Sequence, residues 1–316
     1  MLRRVLSNRP ILLAYAGALG LFLTTSAFST GFASENNVRL LLVQASFIGI
    51  VALGQGFVIL AGGIDLSVPW TLNGAAILLT LFANGSNAPL AWAIPLVLAL
   101  GALVGLANGL GISVLGVNPI VMTLGMNVIL AGGLLVYTNG SPTAAAPSHV
   151  EYLATGRLGP VPVNTLVWAA LAALATIVLT WTIFGRQLYA LGTNRTVALF
   201  SGIAVGRVTV ITYVICGITA AFAGILLTGY TGQAYLGMGD PFLFSSVAAV
   251  AIGGASILGG SGHYLGTVAG ALILTVLAGL LPILNLNTAA LQIIYGLVIL
   301  GTVALATLPG RQAVTR

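Results

Sequence analysis

Residues 90–115 of the chain read LAWAIPLVLALGALVGLANGLGISVL and contain no charged side chain. A helix of this length rises about 39 Å, which exceeds the roughly 30 Å thickness of the hydrocarbon core of a bilayer. The stretch therefore predicts a transmembrane helix. Gly101, Gly105 and Gly109 share one face of this helix, and small residues spaced four apart let helices approach closely in lipid. We therefore expect tight helix packing along this face within the chain.

The same apolar character extends along the whole sequence. Its 316 residues are 59% hydrophobic and 4% charged, with a mean hydropathy of +1.12, whereas about 25% of residues are charged in soluble domains. Too little polar surface is present to face water, so the chain is predicted to be an all-α integral membrane protein, with a single transmembrane domain over residues 1–316. About ten transmembrane helices are predicted, at residues 11–30, 39–61, 67–83, 90–115, 118–138, 164–184, 208–229, 243–258, 264–282 and 288–308.

Two of these segments, 67–83 and 243–258, are short and lie beside glycine pairs. Tilted, broken or re-entrant helices are therefore predicted there. The pairs also mark a weak internal echo, because VILAGG at 58–63 resembles AVAIGG at 249–254. A true repeat would give two related halves around a central site. Apolar stretches resemble one another by chance so easily that the echo alone leaves the repeat open.

Arginine placement predicts the orientation in the membrane, because cytoplasmic loops are enriched in basic residues. All ten basic residues are arginine. If the chain starts in the cytoplasm and crosses ten times, both ends are cytoplasmic and only Arg39 and Arg157 fall outside. The other arginines then lie inside: Arg3, Arg4, Arg9, Arg186, Arg195, Arg207, Arg311 and Arg316.

Two loops are long enough to carry structure of their own. The loop at 139–163 is predicted to lie outside, and the loop at 185–207 inside. In the inner loop, Thr193 or Asn194 can cap a short helix that ends near Gly202. Such a helix could rest on the bilayer or dock in a groove of a partner. Its apolar edge would consist of Val197, Phe200 and Ile203.

The most specific stretch is GGIDLSVP at residues 62–69. Ser67 is predicted to cap the following helix, Pro69 suits its first turn, and Asp65 is favoured near the positive end of the helix. An ion or proton site is the alternative, because acids inside the membrane are functional by default. We favour the cap, since no second intramembrane acid is present to form a relay. The residues of this structural motif and its echo are Gly62, Gly63, Asp65, Ser67, Gly253 and Gly254.

Neutral polar residues are scattered through the apolar segments and are candidates for a solute pathway. As a set, amides and hydroxyls fit a neutral, hydroxyl-bearing solute better than an ion. Any single one could equally bond a neighbouring helix. The candidates are Gln44, Gln55, Asn73, Asn108, Thr123, Asn127 and Gln292, with Tyr213 and Tyr295 beside them.

Several activities are excluded or disfavoured by what the sequence lacks. Without lysine the chain has no phosphate-binding P-loop, so it is not expected to bind ATP by that motif. His149, His263 and the single cysteine, Cys216, are too far apart in sequence for metal-ligand spacing. We therefore expect no enzyme activity, no metal and no cofactor in this chain.

Four stretches, in order along nearly the whole chain, carry a family resemblance. They are GGIDLSV at 62–68, NPIVMTLG at 118–125, YALGTN through SGI at 189–203, and IGG through LGT at 252–267. The chain resembles the permease subunits of bacterial ribose-type ABC importers, within the branched binding-protein-dependent transport family. The resemblance implies a type II importer-like helical bundle in the inner membrane, which moves a monosaccharide by alternating access.

The resemblance also implies partners. These are a second copy of the permease or a related one, cytoplasmic ABC ATPase subunits that hold ATP and Mg, and a periplasmic substrate-binding protein. The inner loop then becomes a coupling segment that contacts the ATPase, with Thr193, Asn194, Arg195, Val197, Phe200, Ser201 and Gly202 as its residues.

Three departures from the family pattern indicate a divergent branch. Arg195 to Ala198 stand where acidic residues and two alanines are usual, Leu130 and Ala131 where an arginine is common, and Pro69 where a glycine is usual. The solute is therefore not assigned as ribose. The main alternative is a secondary transporter of a small neutral solute that uses Asp65 or Asp240 for ion coupling. A membrane scaffold without transport is a third, and the intramembrane amides argue against it.

Overall fold

A computed structural model describes residues 9–142 and 144–307. The regular secondary structure of the described residues is helical, apart from one short hairpin of β1 (Arg157–Leu158) and β2 (Val161–Pro162). The helices are α1 (Arg9–Phe28), α2 (Glu35–Leu60), α3 (Val68–Ala83), α4 (Leu90–Ser113), α5 (Pro119–Tyr137), α6 (Ser148–Thr155), α7 (Val163–Trp181), α8 (Ile183–Thr193), α9 (Arg195–Phe200), α10 (Val205–Thr231), α11 (Phe242–Ile252), α12 (Tyr264–Ile283) and α13 (Thr288–Thr307).

Ten of these helices match the ten predicted apolar segments one for one. Seven are long and apolar enough to cross a membrane, and three shorter apolar stretches lie in α3, α11 and α13. The prediction of an all-α membrane protein is confirmed. Arg3, Arg4, Arg311 and Arg316, and with them both chain ends, lie outside the described residues.

Helix α10 lies at the centre of the bundle, packed against α2, α3 and α4. The close contact with α4 depends on the predicted glycine face, where an added side-chain carbon would overlap backbone atoms of α10. Tight packing within the chain is therefore confirmed for this face. The overlaps pair Gly101 with Gly217, Gly105 with Tyr213 and Gly109 with Val210.

The bundle has two ends, which we name by their surface elements. The hairpin end carries β1, β2 and α6; there Gly229 of α10 packs on the backbone of Val150. The α9 end carries α8 and α9; there Pro10 of α1 packs on Gly254. The loop at 139–163 therefore holds a helix and a hairpin that the sequence did not predict.

Helix α11 is only a half-length helix. Its eleven residues rise about 16 Å, half of a bilayer core. The non-helical segment 232–241 before it runs from the hairpin end back into the bundle. There Gly239 packs on the backbone of Pro69. Buried non-helical backbone of this kind is tolerated at membrane depth only where protein or a cavity covers it.

Helices α2 and α11 end in the same way. Gly62 and Gly254 have φ of 83° and 84°, and the next residue in each case donates to a carbonyl five residues back, on Val58 and Val250. This is the glycine-terminated Schellman end of a helix. Gly62 thus corresponds to Gly254, so the sequence echo, which aligned Gly62 with Gly253, is one residue out of register.

Candidate functional site

The two non-helical segments inside the bundle are held by buried amides. The Gln55 amide lies 3.1 Å from the backbone oxygen and 3.3 Å from the backbone nitrogen of Asp65, and forms both hydrogen bonds when its nitrogen faces the carbonyl. The Asn73 amide bonds Tyr235 O and Gly237 N in the same manner. These two pathway candidates therefore fix the backbone of segments 61–67 and 232–241.

Asp65 lies at the centre of a small polar cluster and is 2% exposed. Its Oδ1 accepts from the backbone N–H of Ser67 at 2.9 Å and from the Ser67 hydroxyl at 2.6 Å. Asn108 Nδ2 in turn donates to Ser67 Oγ at 2.9 Å. Thr123 Oγ1 bonds Pro119 O at 2.8 Å, and more weakly Ile64 O at 3.4 Å.

The cap at the start of α3 differs in detail from its prediction. Ser67 occupies the N-cap position, but its hydroxyl accepts from no helix N–H; it donates to Asp65 and accepts from Asn108 Nδ2. The Asp65 carboxylate accepts from the N-cap residue itself, through the N–H and the hydroxyl of Ser67, and Pro69 lies in the first turn as expected. Among the described residues the one ion pair joins Arg39 and Glu35, so Asp65 has no basic partner there.

Two other candidates lie on the wall of a cavity at the hairpin end. The cavity measures about 450 Å³ and is lined by α2, α10, α11, α12, α13 and the end of segment 232–241. It brings Gln44 of α2 and Gln292 of α13 together with Tyr295. Asn127 lies elsewhere, on α5, with its Oδ1 buried and unpaired.

The sequence did not single out three further residues of this wall: Phe47, Tyr230 and Ser245. Phe47 follows Gln44 by three positions, so helical spacing could have placed both on one face. Tyr230 and Ser245 reach the cavity only because segment 232–241 turns back into the bundle, which no local pattern indicates.

The predicted short helix of the inner loop is present as α9. Asn194 caps it by accepting from Val197 N at 3.0 Å, and the turn after it has Gly202 at φ 79°. Buried Ala198 anchors the helix, while an apolar surface faces away from the bundle. That surface, which we call the α9 face, consists of Val197, Leu199 and Phe200, exposed by 59%, 60% and 85%.

Helix α8, which the sequence did not predict, connects α9 to the bundle. Tyr189 Oη donates to Gly262 O at 2.8 Å. Gly192 lies so close to Leu60 O and Gly260 N that an added side-chain carbon would overlap both atoms. The α9 face is therefore attached, through α8, to the end of α2 and to the segment between α11 and α12.

The sequence model of the family described as "Branched-chain amino acid transport system / permease component" matches residues 37–303. The chain belongs to this permease family. The match covers α2 except for its first two residues, every helix from α3 to α12 and most of α13, so the site residues above all lie within it. The permease is thus a multi-pass membrane protein of an ABC transport family, which confirms the resemblance drawn from its motifs.

Curated relatives of the permease match over most of their length. The ribose import permease protein RbsC of Bacillus subtilis is 37% identical, over 91% of this chain and 90% of its own. Its Escherichia coli K12 counterpart is 34% identical, over 89% of both chains. The galactose/methyl galactoside import permease protein MglC of Escherichia coli K12 is 34% identical, over 88% of both. No solved structure matches the permease significantly.

Proposed function

We propose that the chain is the membrane-spanning subunit of an ATP-driven importer, and that it carries a monosaccharide or a similar small polyhydroxylated solute by alternating access. The observation that supports this proposal most strongly is the 37% identity to a ribose import permease over 91% of the chain. Relatives named for galactose and for autoinducer 2 import support a sugar-like solute rather than ribose alone.

The α9 face is the contact for a cytoplasmic ABC ATPase. Three apolar side chains are exposed beyond the end of the bundle, where a partner could bury them. An apolar helix face that lies in a groove of a partner is a common mode of recognition. ATP and Mg are held by that partner, because the chain has no P-loop. Closure of the ATPase would move α9, and with it α8, α2 and the segment after α11.

Orientation follows from the six arginines of the described chain. Arg39 lies near the start of α2 at the hairpin end, and Arg157 is in the hairpin itself. The other four lie at the α9 end, which the basic-residue bias makes cytoplasmic; they are Arg9, Arg186, Arg195 and Arg207. The hairpin end then faces a periplasmic substrate-binding protein that delivers the solute.

A second permease copy fits against α5. The main packing partners of this helix are α3 and α4, and among its residues Thr123 and Leu134 alone are buried. Its exposed glycines have open space where a side chain would be, which is the feature that lets a further helix approach closely in lipid. They are Gly125, Gly132 and Gly133.

Reconstitution in proteoliposomes tests the proposal. Uptake of ribose or galactose should require the ATPase, the binding protein and ATP together, and the purified permease alone should hydrolyse no ATP. A sodium or proton gradient imposed on vesicles with the permease alone should give no uptake. Gradient-driven uptake there would establish the secondary transporter instead. ATP-dependent uptake of leucine without any sugar uptake would show that the solute is an amino acid and not a sugar.

A further inference from the structure

The two amides on the cavity wall, Gln44 and Gln292, make no hydrogen bond to any described residue. Gln44 is half-buried and lies about 14 Å along α2 from the first residue of the helix. Lipid chains cannot form hydrogen bonds with an amide. An unpaired amide at that depth therefore has a high free-energy cost unless the cavity supplies a hydrogen-bond partner. Each glutamine offers two donors and one acceptor, which is the pattern that a set of solute hydroxyls can satisfy.

Aromatic rings complete the wall between the amides. Phe47 and Tyr230 meet edge to face with ring centroids 5.4 Å apart, and Tyr295 is 5% exposed on α13. Tyrosine offers an apolar ring with a polar hydroxyl. Ser245 donates its proton to Pro241 O at 2.9 Å, which leaves its oxygen as an acceptor. The wall therefore combines apolar faces with polar points, as a sugar ring does.

Charge on the solute is disfavoured by the same wall. None of the lining side chains is acidic or basic, so a charged group would be desolvated without a counter-charge. The first two backbone N–H groups of α11 are not free for a carboxylate either. Phe242 N already donates to Gly239 O at 2.9 Å, and Leu243 N to Asp240 O at 3.2 Å.

We propose that this cavity is a solute-binding site of the permease at its hairpin end, specific for an uncharged polyhydroxylated solute of monosaccharide size. Gln44 and Gln292 bind solute hydroxyls, and Phe47 and Tyr295 contact the apolar faces of the ring. The volume of about 450 Å³ lies within the range of about 300–1,000 Å³ typical of small-molecule pockets. The inference rests on the proposed sugar import. It adds the location of a solute-binding site and a selectivity for uncharged sugars over amino acids.

Uptake by the complete importer provides the first test. With ribose and galactose at limiting concentration, Gln44→Leu and Gln292→Leu should each lower the uptake rate roughly five- to tenfold, the effect of one lost hydrogen bond to a solute. Gln233→Leu is the matched control, because Gln233 is an exposed amide at the same end outside the cavity; it should transport at the wild-type rate. Full uptake by both cavity variants would overturn the site, while sugar uptake by the wild type would still support the importer.

A labelling experiment on the full-length permease separates binding from transport. Ala278 lies on the cavity wall, and the native Cys216 is 1% exposed, so Ala278→Cys adds one accessible thiol. Ribose or galactose should slow its reaction with a maleimide at least twofold, and leucine should not. Equal rates with and without either sugar, in vesicles whose wild-type importer takes up that sugar, would contradict a site in this cavity.

Discussion

The backbone N–H of Gly260 donates a 3.0 Å hydrogen bond to the carbonyl oxygen of Leu60. This bond joins the segment between α11 and α12 to the last residue of α2. Gly192 of α8 packs directly on both atoms, so three elements meet through backbone alone. Because no flexible side chain separates them, we expect a displacement of α8 to be transmitted to both partners.

Gly192→Ala should uncouple this junction. The added methyl would overlap Leu60 O and Gly260 N, and backbone cannot yield as a side-chain tip can, so a cost of about 1–3 kcal/mol is expected. We expect sugar uptake to fall while ATP hydrolysis by the assembled importer persists. Gly206→Ala is the control, because its new carbon would meet only Ser113 Cβ at 3.9 Å. Equal transport by the two variants would contradict a transmitting role.

Phe200→Ala should weaken assembly with the ATPase. A hot-spot side chain at the centre of a contact contributes about 2 kcal/mol or more to binding; if Phe200 is one, the affinity should drop at least roughly tenfold. Co-purification and titration with the ATPase would measure this. Phe28→Ala is the matched control, because Phe28 and Phe200 are each 85% exposed but lie at opposite ends of the bundle. An equal loss in both would show that the effect is not specific to α9.

Asp65→Asn decides between the cap and the ion-coupling interpretations. Asparagine keeps an Oδ1 that can accept from Ser67 N and Oγ, so folding and ATP-driven uptake should stay within about twofold of wild type. Asp65→Ala instead leaves buried donors unpaired, which costs about 1–3 kcal/mol and should lower the thermal stability in detergent. Loss of uptake in a stable Asp65→Asn protein would favour a titrating or ion-binding role.

The sequence predicts the long helices well because each must be apolar over its whole length to cross lipid. It overestimates α11, which was expected to reach residue 258 but ends at Ile252. The apolar residues after it belong to a segment that Gly254, at positive φ, turns out of the helix. Apolar composition reports burial or lipid contact and does not distinguish a helix from buried non-helical backbone.

The candidate site is only partly predictable from the sequence. Spacing and capping rules locate α9, because Asn194 and Gly202 act through local geometry. The polar residues inside the helices are different, since their chemistry is the same whether they bond backbone or face a cavity. Gln55 and Gln44 lie on one helix, yet the first is held by Asp65 and the second is on the cavity wall. Only the fold of segments 61–67 and 232–241 separates the two roles.

Gly105→Ala should destabilise the bundle more than a glycine substitution facing lipid. An added carbon at Gly105 would overlap the backbone of Tyr213 and force α4 away from α10, at a cost of about 1–3 kcal/mol. Gly20→Ala on α1 meets nothing within 4 Å, and alanine is the better helix former by about 1 kcal/mol, so it should be neutral or stabilising. Thermal unfolding of both variants in the same detergent compares them. If Gly105→Ala unfolded at the wild-type temperature, the α4–α10 contact would have to be looser than its geometry requires.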